Sequence, residues 1–321
     1  MRAYLIRRLL QILPVFFGIL VFVFLIIELS PGGPAGNFIT PGMRAHHRQE
    51  IEERLGLNEP LPTRFVTWIS NAVRGDFGRS FQFRHPVLEV LRPSIEPTFT
   101  LAILSLLLAL LVGIPAGIIS ATKQYSAIDN FLTVFSLIGI SMPSFFFALI
   151  LIRIFTVQLG WTPLFGLSDP LFQAPHIFAA IGHRLWHMIL PTIVLGLGST
   201  ATFMRYTRSS MLEVIKSDYI RTARAKGLSE KIVIYRHAFR NAIIPIITLL
   251  GFWIPGVFSG AVITETIFGL PGMGRVTVQA AQFRDYPIIL ATTTIIALLT
   301  LISTLLADVL YAAADPRIKY D

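Results

Sequence analysis

Six apolar stretches, each long enough to cross a hydrocarbon core of roughly 30 Å, divide this chain: approximately Leu9 to Leu29, Thr98 to Ala121, Phe131 to Val157, Ile189 to Met211, Ala238 to Ile263 and Ile288 to Ala312. Only 14% of the residues are charged, against about 25% in soluble domains. The expected fold class is therefore an all-α integral membrane protein of six transmembrane helices. The first stretch follows Arg2, Arg7 and Arg8 as a secretory signal would. Its apolar run exceeds the usual ~7–15 residues of a signal and no good cleavage site follows, so it is read as an uncleaved anchor.

Charge sets the expected orientation. Between Arg205 and Arg240 lie nine Lys or Arg against three acids, Glu213, Asp218 and Glu230. The positive-inside rule puts that connection in the cytoplasm. The N-terminus and the tail with Arg317 and Lys319 then share its side, as an even number of spans requires. The net charge of +9 is thus explained by topology, and nucleic acid is not an expected partner. The first connection, Ser30 to Pro97, has eight arginines and seven acids on the outer side, but connections longer than about 60 residues largely escape the rule.

The expected divisions are an N-terminal transmembrane helix over 1–29, an extracytoplasmic lobe over 30–97, a five-helix core over 98–312 with a cytoplasmic loop over 212–237, and a cytoplasmic tail over 313–321. The lobe shows helical pattern in Met43 to Leu57 and Pro62 to Arg74. Pro86 to Arg92 mixes apolar and charged residues and reads as an interfacial segment.

The spans contain helix-perturbing residues near their middles: Gly113, Pro115 and Gly117; Gly139 and Pro143; Pro191, Gly196 and Gly198; and Pro245, Gly251, Pro255, Gly256 and Gly260. Singly, such residues allow close helix packing. Their density in the fifth span points instead to a kinked helix lining a pathway. Pro143, Pro245, Gly251, Pro255 and Gly256 are the candidate pathway or hinge positions. The ionisable residues Glu28, Arg153, Glu265 and Asp308 lie near span ends, and no acid, lysine or histidine lies near a span centre. That counts against ion-coupled transport.

The loop Ser217-Asp-Tyr-Ile-Arg-Thr-Ala-Arg-Ala-Lys-Gly227-Leu-Ser-Glu230 predicts two short helices hinged at Gly227, with Ser217 or Asp218 capping the first and Gly227 in the left-handed conformation that ends it. No glycine precedes a lysine anywhere in the chain, so the phosphate-cradling Gly-Lys-Ser/Thr ending is absent. If ATP drives this protein, hydrolysis belongs to a partner.

Tyr219-Ile-Arg-Thr-Ala-Arg-Ala-Lys-Gly227-Leu, followed by Arg236-His-Ala-Phe-Arg-Asn-Ala-Ile-Ile-Pro245, resembles the cytoplasmic loop of the dipeptide, oligopeptide and nickel permeases of bacterial ABC importers. Tyr4 to Leu10, Gly75 to Ser80 with His85-Pro-Val87, and Glu265 to Arg275 agree with it. The long outer lobe resembles the B-type subunit of the permease pair. Arg221-Thr-Ala223 stands where the general importer pattern has Glu-Ala-Ala, which places the resemblance in the peptide branch and removes a glutamate-based docking contact.

The resemblance implies a multi-pass subunit of a prokaryotic cytoplasmic membrane. Its partners would be a homologous C-type permease, two ATP-binding subunits and an extracytoplasmic binding protein, besides membrane lipid. It implies no cofactor on this chain, with ATP and Mg on the partners, and no catalytic residue here. It further implies that the loop helix sits in a groove on an ATPase subunit through Tyr219, Arg221, Thr222, Ala223, Arg224, Lys226 and Gly227. Small Ala223 and Ala225 would allow close approach, while Arg221, Arg224 and Lys226 would pair with carboxylates.

Pro271 and Gly272 stand at the positions a type II turn prefers, so Gly269 to Arg275 is expected to form a tight outer turn. Pro271, Gly272 and Gly274 are its gate candidates. His183 and His187, four apart, and His46-His47 are the only metal-like spacings; with no acid nearby they are read as interfacial residues, and no metal is expected. The alternative class is a secondary transporter or channel working without ATPase subunits. It calls for a central ionisable residue or an inverted repeat, and the sequence has neither. A membrane-anchored sensor would need a recognition domain for which there is no room.

Overall fold

The computed structural model describes residues 2–31, 33–36, 38, 43–54, 56–169 and 171–314. The expected tail residues Arg317 and Lys319 lie outside this set. Among the described residues the fold is helical, relieved by one isolated β-bridge between Arg79 and Pro86. Four helical stretches are long and apolar enough to cross a membrane, and six if each of two bent pairs is one span.

Helix α1 (Arg2–Glu28) is followed by α2 (Ala45–Arg54) and α3 (Leu61–Val73), the two lobe helices expected from the sequence. Phe24 of α1 packs edge-on against Phe65 of α3, and Arg64 pairs with Glu28, so α3 is pinned to the C-terminal end of α1. Helix α4 (Val87–Leu108) then begins well before the expected span start at Thr98. Pro86 to Arg92 thus forms the first turns of this helix and is not a separate segment. Val87 and Leu91 are buried against Ala280, Ile288 and Ala291, and this apolar contact extends the helix at its N-terminal end.

A π-helical turn, Ala109–Gly113, leads from α4 into α5 (Ile114–Thr122). Pro115 explains it. Proline offers no N–H and crowds the preceding turn; the wider turn absorbs the misfit, and the helix runs on through Pro115 without a break.

The third apolar stretch is broken into α6 (Ala127–Ser141) and α7 (Ser144–Leu151), the latter extended by a π-helical stretch to Gln158. The halves meet at 108°, so this stretch is not the single straight helix its length suggested. Pro143 is the cause, since it ends α6 and starts α7.

Helix α8 (Ile177–Ile215) is the central element, packing against α4, α5, α6 and α12. It is much longer than the expected Ile189 to Met211. Its neighbours approach through glycine: a Cβ on Gly113 would stand 2.7 Å from the Thr200 carbonyl, and one on Gly117 2.6 Å from that of Met204. For these residues the packing reading holds.

The chain continues through α9 (Asp218–Ala225), α10 (Glu230–Ile232), a π-helical turn Val233–Ala238 and α11 (Phe239–Ala242) to α12 (Ile244–Ile267). Pro245 marks a bend of 43° at the start of α12. Beyond it α12 runs unbroken past Gly251, Pro255 and Gly256. The kink expected from that run of breakers is therefore confined to its N-terminal end. Gly251 serves packing, since its Cβ position lies 3.0 Å from Ala307 of the last helix. The surroundings of Pro255 and Gly256 lie outside the described side chains. Helices α13 (Met273–Gln282) and α14 (Tyr286–Ala314) complete the fold, with α14 lying against α12 and α1.

Gly117→Ala should lower the melting temperature of the detergent-solubilised protein, by the equivalent of about 1–3 kcal/mol of overpacking. Gly18→Ala, whose Cβ would meet nothing within 4 Å, should leave it unchanged.

Candidate functional site

The loop after α8 forms a helical knuckle seated on the bundle. Ile220 and Ala223 on one side of α9 are buried, in a cluster with Ile118 and Ala121 of α5, Met211 of α8, and Val233, Ala238 and Ala242. Tyr219, Arg221, Thr222, Arg224, Ala225, Lys226 and Gly227 are exposed. Ala223 therefore owes its small size to packing within this chain and does not present itself outward; of the two alanines, Ala225 faces solvent.

The helix ends as its glycine predicted. Gly227 has φ +76°, its N–H donates to the Arg224 carbonyl (2.9 Å), and the Leu228 N–H donates to that of Ala223 (3.4 Å). This is the paired pattern of a Schellman ending. The expected cap at the other end is absent: the Ser217 hydroxyl donates back to the Val214 carbonyl (2.6 Å), closing the end of α8. Arg224 spans the hinge to Glu230, with Nη2 2.6 Å and Nε 3.1 Å from the carboxylate. That partner holds the guanidinium pKa above its usual value. Arg221 has Asp218 beside it at 3.4 Å. Two of the three cations proposed for outside carboxylates thus already have partners within the loop, and Lys226 stands exposed.

Beneath the knuckle lies an interaction that sequence reasoning missed. Asp129, in the first turn of α6, is buried and receives both Nε (2.9 Å) and Nη2 (3.0 Å) of Arg208 from α8. The Ser120 hydroxyl and the Tyr125 N–H also donate to it. One carboxylate so ties the end of α5, the α5–α6 turn and the start of α6 to α8. Its sequence signal was an acid two residues before an apolar stretch, facing an arginine 79 positions away.

At the other end of the bundle, Glu265 is fully buried near the end of α12. The Thr98 hydroxyl of α4 donates to Oε1 (2.6 Å) and the Arg275 N–H to Oε2 (3.0 Å), while the Met273 N–H donates to Thr98 Oγ1 (2.9 Å). Side chains from α4 and α12 thereby supply the N-terminal N–H groups of α13 with the cap that Gly272 lacks. The type II turn at Pro271-Gly272 does not form. Gly272 has φ −93°, and its N–H donates to the Leu270 carbonyl across Pro271. The left-handed residue is Gly269, φ +63°, which closes α12 with a second Schellman pattern. Gly272 and Gly274 are required by space: a Cβ on Gly272 would lie 2.1 Å from the Glu265 carboxylate, and one on Gly274 2.7 Å from Val262.

Asp285 plays a matching role before α14, accepting from the Ser80 hydroxyl and from the N–H groups of Phe81 and Gln82 (both 3.1 Å). This seats the Gly75 to Ser80 motif on the α13–α14 corner. The paired histidines serve structure as well: His183 Nε2 lies 3.1 Å from the Asp169 N–H and His187 Nδ1 3.1 Å from the Gly166 carbonyl. Among the described residues no group of three or more His, Cys, Asp or Glu side chains stands ready for a metal.

Asp129→Ala leaves Arg208 without its partner and should cost about 3–5 kcal/mol, read as a lower melting temperature and less recoverable protein. Adding Arg208→Ala should restore part of the loss. Gly272→Ala must push the Glu265 carboxylate off its donors, and should destabilise the protein by about 1–3 kcal/mol in the same assay.

The pattern that defines the binding-protein-dependent transport system inner membrane components matches residues 113–320, and that of the N-terminal region of such membrane components matches residues 1–102. The chain is 43% identical to the oligopeptide transport system permease protein AppB of Bacillus subtilis (strain 168) over 321 residues, covering 100% of both chains. It is 40% identical over 333 residues to the dipeptide transport system permease protein DppB of Alkalihalophilus pseudofirmus, again covering 100% of both. With the glutathione transport system permease protein GsiC of Escherichia coli (strain K12) it shares 38% over 318 residues, 99% of each. Among solved structures, an inward-facing form of the MetNI methionine ABC transporter superposes with a TM-score of 0.53 at 15% identity, covering 71% of this chain and 97% of that one, a likeness of fold. This chain belongs to the family of binding-protein-dependent transport system inner membrane components.

Proposed function

We propose that the chain is the B-type permease subunit of an ATP-driven importer and forms half of the translocation pathway for di- or oligopeptides handed over by an extracytoplasmic binding protein. Its partners in this reading are a C-type permease and two ATP-binding subunits that hold ATP and Mg. It sits in the cytoplasmic membrane of a prokaryote, with six crossings, both termini inside and the α2–α3 lobe outside. The peptide cargo rests on the full-length kinship with permeases named for peptides.

The observation that carries the mechanism is the two-sidedness of α9. Its apolar side is locked to α5, α8 and the segment leading to α12, while its basic side is exposed, with Arg221 and Arg224 paired within the loop and Lys226 open to solvent. A partner gripping Tyr219, Arg221, Thr222, Lys226 and Gly227 therefore moves the inner ends of the spans, because Ile220 and Ala223 leave α9 no freedom to slide alone. Closure of the ATP-binding subunits would push the knuckle, and the Pro245 bend would let α12 change its tilt. Substrate would pass when the outer mouth opens at the Glu265-held turn. Hydrolysis on the partners would reset the cycle.

The direct test is reconstitution with co-expressed ATP-binding subunits, second permease and binding protein. Peptide uptake and peptide-stimulated ATP hydrolysis are the expected results. A chain that purifies without nucleotide-binding partners and transports alone would overturn the reading. Within the working complex, Gly227→Val forces a β-branched residue into φ +76°, at about 1–2 kcal/mol for the left-handed conformation. Uptake per ATP hydrolysed should fall by on the order of tenfold, the equivalent of about 1.4 kcal/mol.

A further inference from the structure

The break between α6 and α7 leaves polar backbone on the surface of an apolar bundle, where Ile140, Ser141 and Pro143 are exposed. It lies roughly 22 Å along α6 from Ala127, at 1.5 Å per residue, in a hydrocarbon core about 30 Å thick. Gly139 would pass its carbonyl hydrogen bond to residue 143, but that residue is proline. The Ile140 and Ser141 carbonyls belong to the last turn of α6, whose carbonyls have no partner within their own helix, and the chain turns by 108° beyond them. On the far side, Pro143 gives α7 no side-chain cap, and the first N–H that returns to the chain is that of Phe147, to the Pro143 carbonyl (3.1 Å). Acceptors and donors are thus left side by side, and irregular backbone at such depth is tolerated only where protein or a water-filled cavity covers it.

A cavity lies beside this break. It has a volume of about 480 Å³, stands open on one side, and is bordered by Gly139, Ile140, Met142, Ser144 and Phe147 at the break, by the Val194–Phe203 stretch of α8, and by Leu249 and Trp253 of α12. Small-ligand pockets run from about 300 to 1,000 Å³. No charged side chain lines it. Its polar points are the Ser144 hydroxyl, the Ser199 hydroxyl that accepts from Trp253 Nε1 (3.1 Å), and Thr202, whose hydroxyl donates to the Gly198 carbonyl (2.8 Å). Two of these are turned to internal work, so the unfilled hydrogen-bonding capacity belongs mainly to the backbone at the break.

We infer that this cavity is a transit site for the main chain of an extended, uncharged-backbone cargo, that is, a peptide held by its own N–H and C=O groups against the α6–α7 break. The inference rests on the peptide-importer reading above. The chemistry fits that cargo class. A peptide main chain alternates donors and acceptors as the break does, whereas a lining without charge neither selects among side chains nor traps them. A site that holds by backbone dipoles alone binds weakly, and weak binding is what lets cargo leave.

The test uses the assembled complex with its binding protein and a fluorescent pentapeptide. Ser144→Trp and Thr202→Trp should each fill the cavity and cut pentapeptide uptake per ATP hydrolysed by at least about tenfold. A photoreactive benzoylphenylalanine in place of Ser144 should crosslink to the pentapeptide during turnover. Undiminished uptake in both tryptophan variants, or a crosslink that reaches only the second permease, would overturn the site, the latter by making this face a subunit interface. Failure of the tryptophan variants to assemble leaves the crosslink to decide. If the unaltered complex takes up no peptide, the peptide reading itself falls; if it does and the Ser144 probe never meets the peptide, the site alone falls.

Discussion

One end of this bundle depends on the pairing of Asp129 with Arg208. A carboxylate removed from water is tolerated only when its charge and its lone pairs are both answered. Asp129 finds a bidentate guanidinium from α8, a hydroxyl from α5 and a backbone N–H from the α5–α6 turn. The ends of α5, α6 and α8 are therefore held in one arrangement. On that platform Ile220 and Ala223 seat the α9 knuckle, so α9 is tied to the long helices beside it.

The other end is organised by buried carboxylates as well. Glu265 and Asp285 are both fully buried, and each accepts from a hydroxyl on another element and from backbone N–H groups. Each carboxylate holds a chain reversal, one before α13 and one before α14. The short α13 thus hangs between two fixed corners, while the 43° bend lies at the opposite end of α12, at Pro245.

Proline has three separate consequences here, and position decides which. Pro115 is absorbed by a π-helical turn and leaves its span continuous. Pro245 starts a helix and sets a modest bend. Pro143 separates two half-helices at a steep angle beside a cavity. Residue type alone does not distinguish these cases, because the outcome depends on whether the neighbouring turn can widen and on what packs across from it.

Much was determined by the sequence alone. Apolar lengths marked the membrane segments, charge asymmetry singled out the α8–α12 connection, and Gly227 announced the end of α9, because each of these is a local property of consecutive residues. The family resemblance was legible for the same reason, in short contiguous motifs. What only the tertiary structure decided is what those residues face. Ala223 turned inward and Arg224 paired with Glu230 because α9 rests on Met211 and Val233, which lie outside its own turn of sequence. Gly272 and Gly274 proved to be spaces for Glu265 and Val262, and not turn conformers. Asp129 became the anchor of α5, α6 and α8 through an arginine 79 positions away. Partners distant in sequence leave no local pattern, so the hydrogen bonds that hold this bundle together become visible only when the helices are packed.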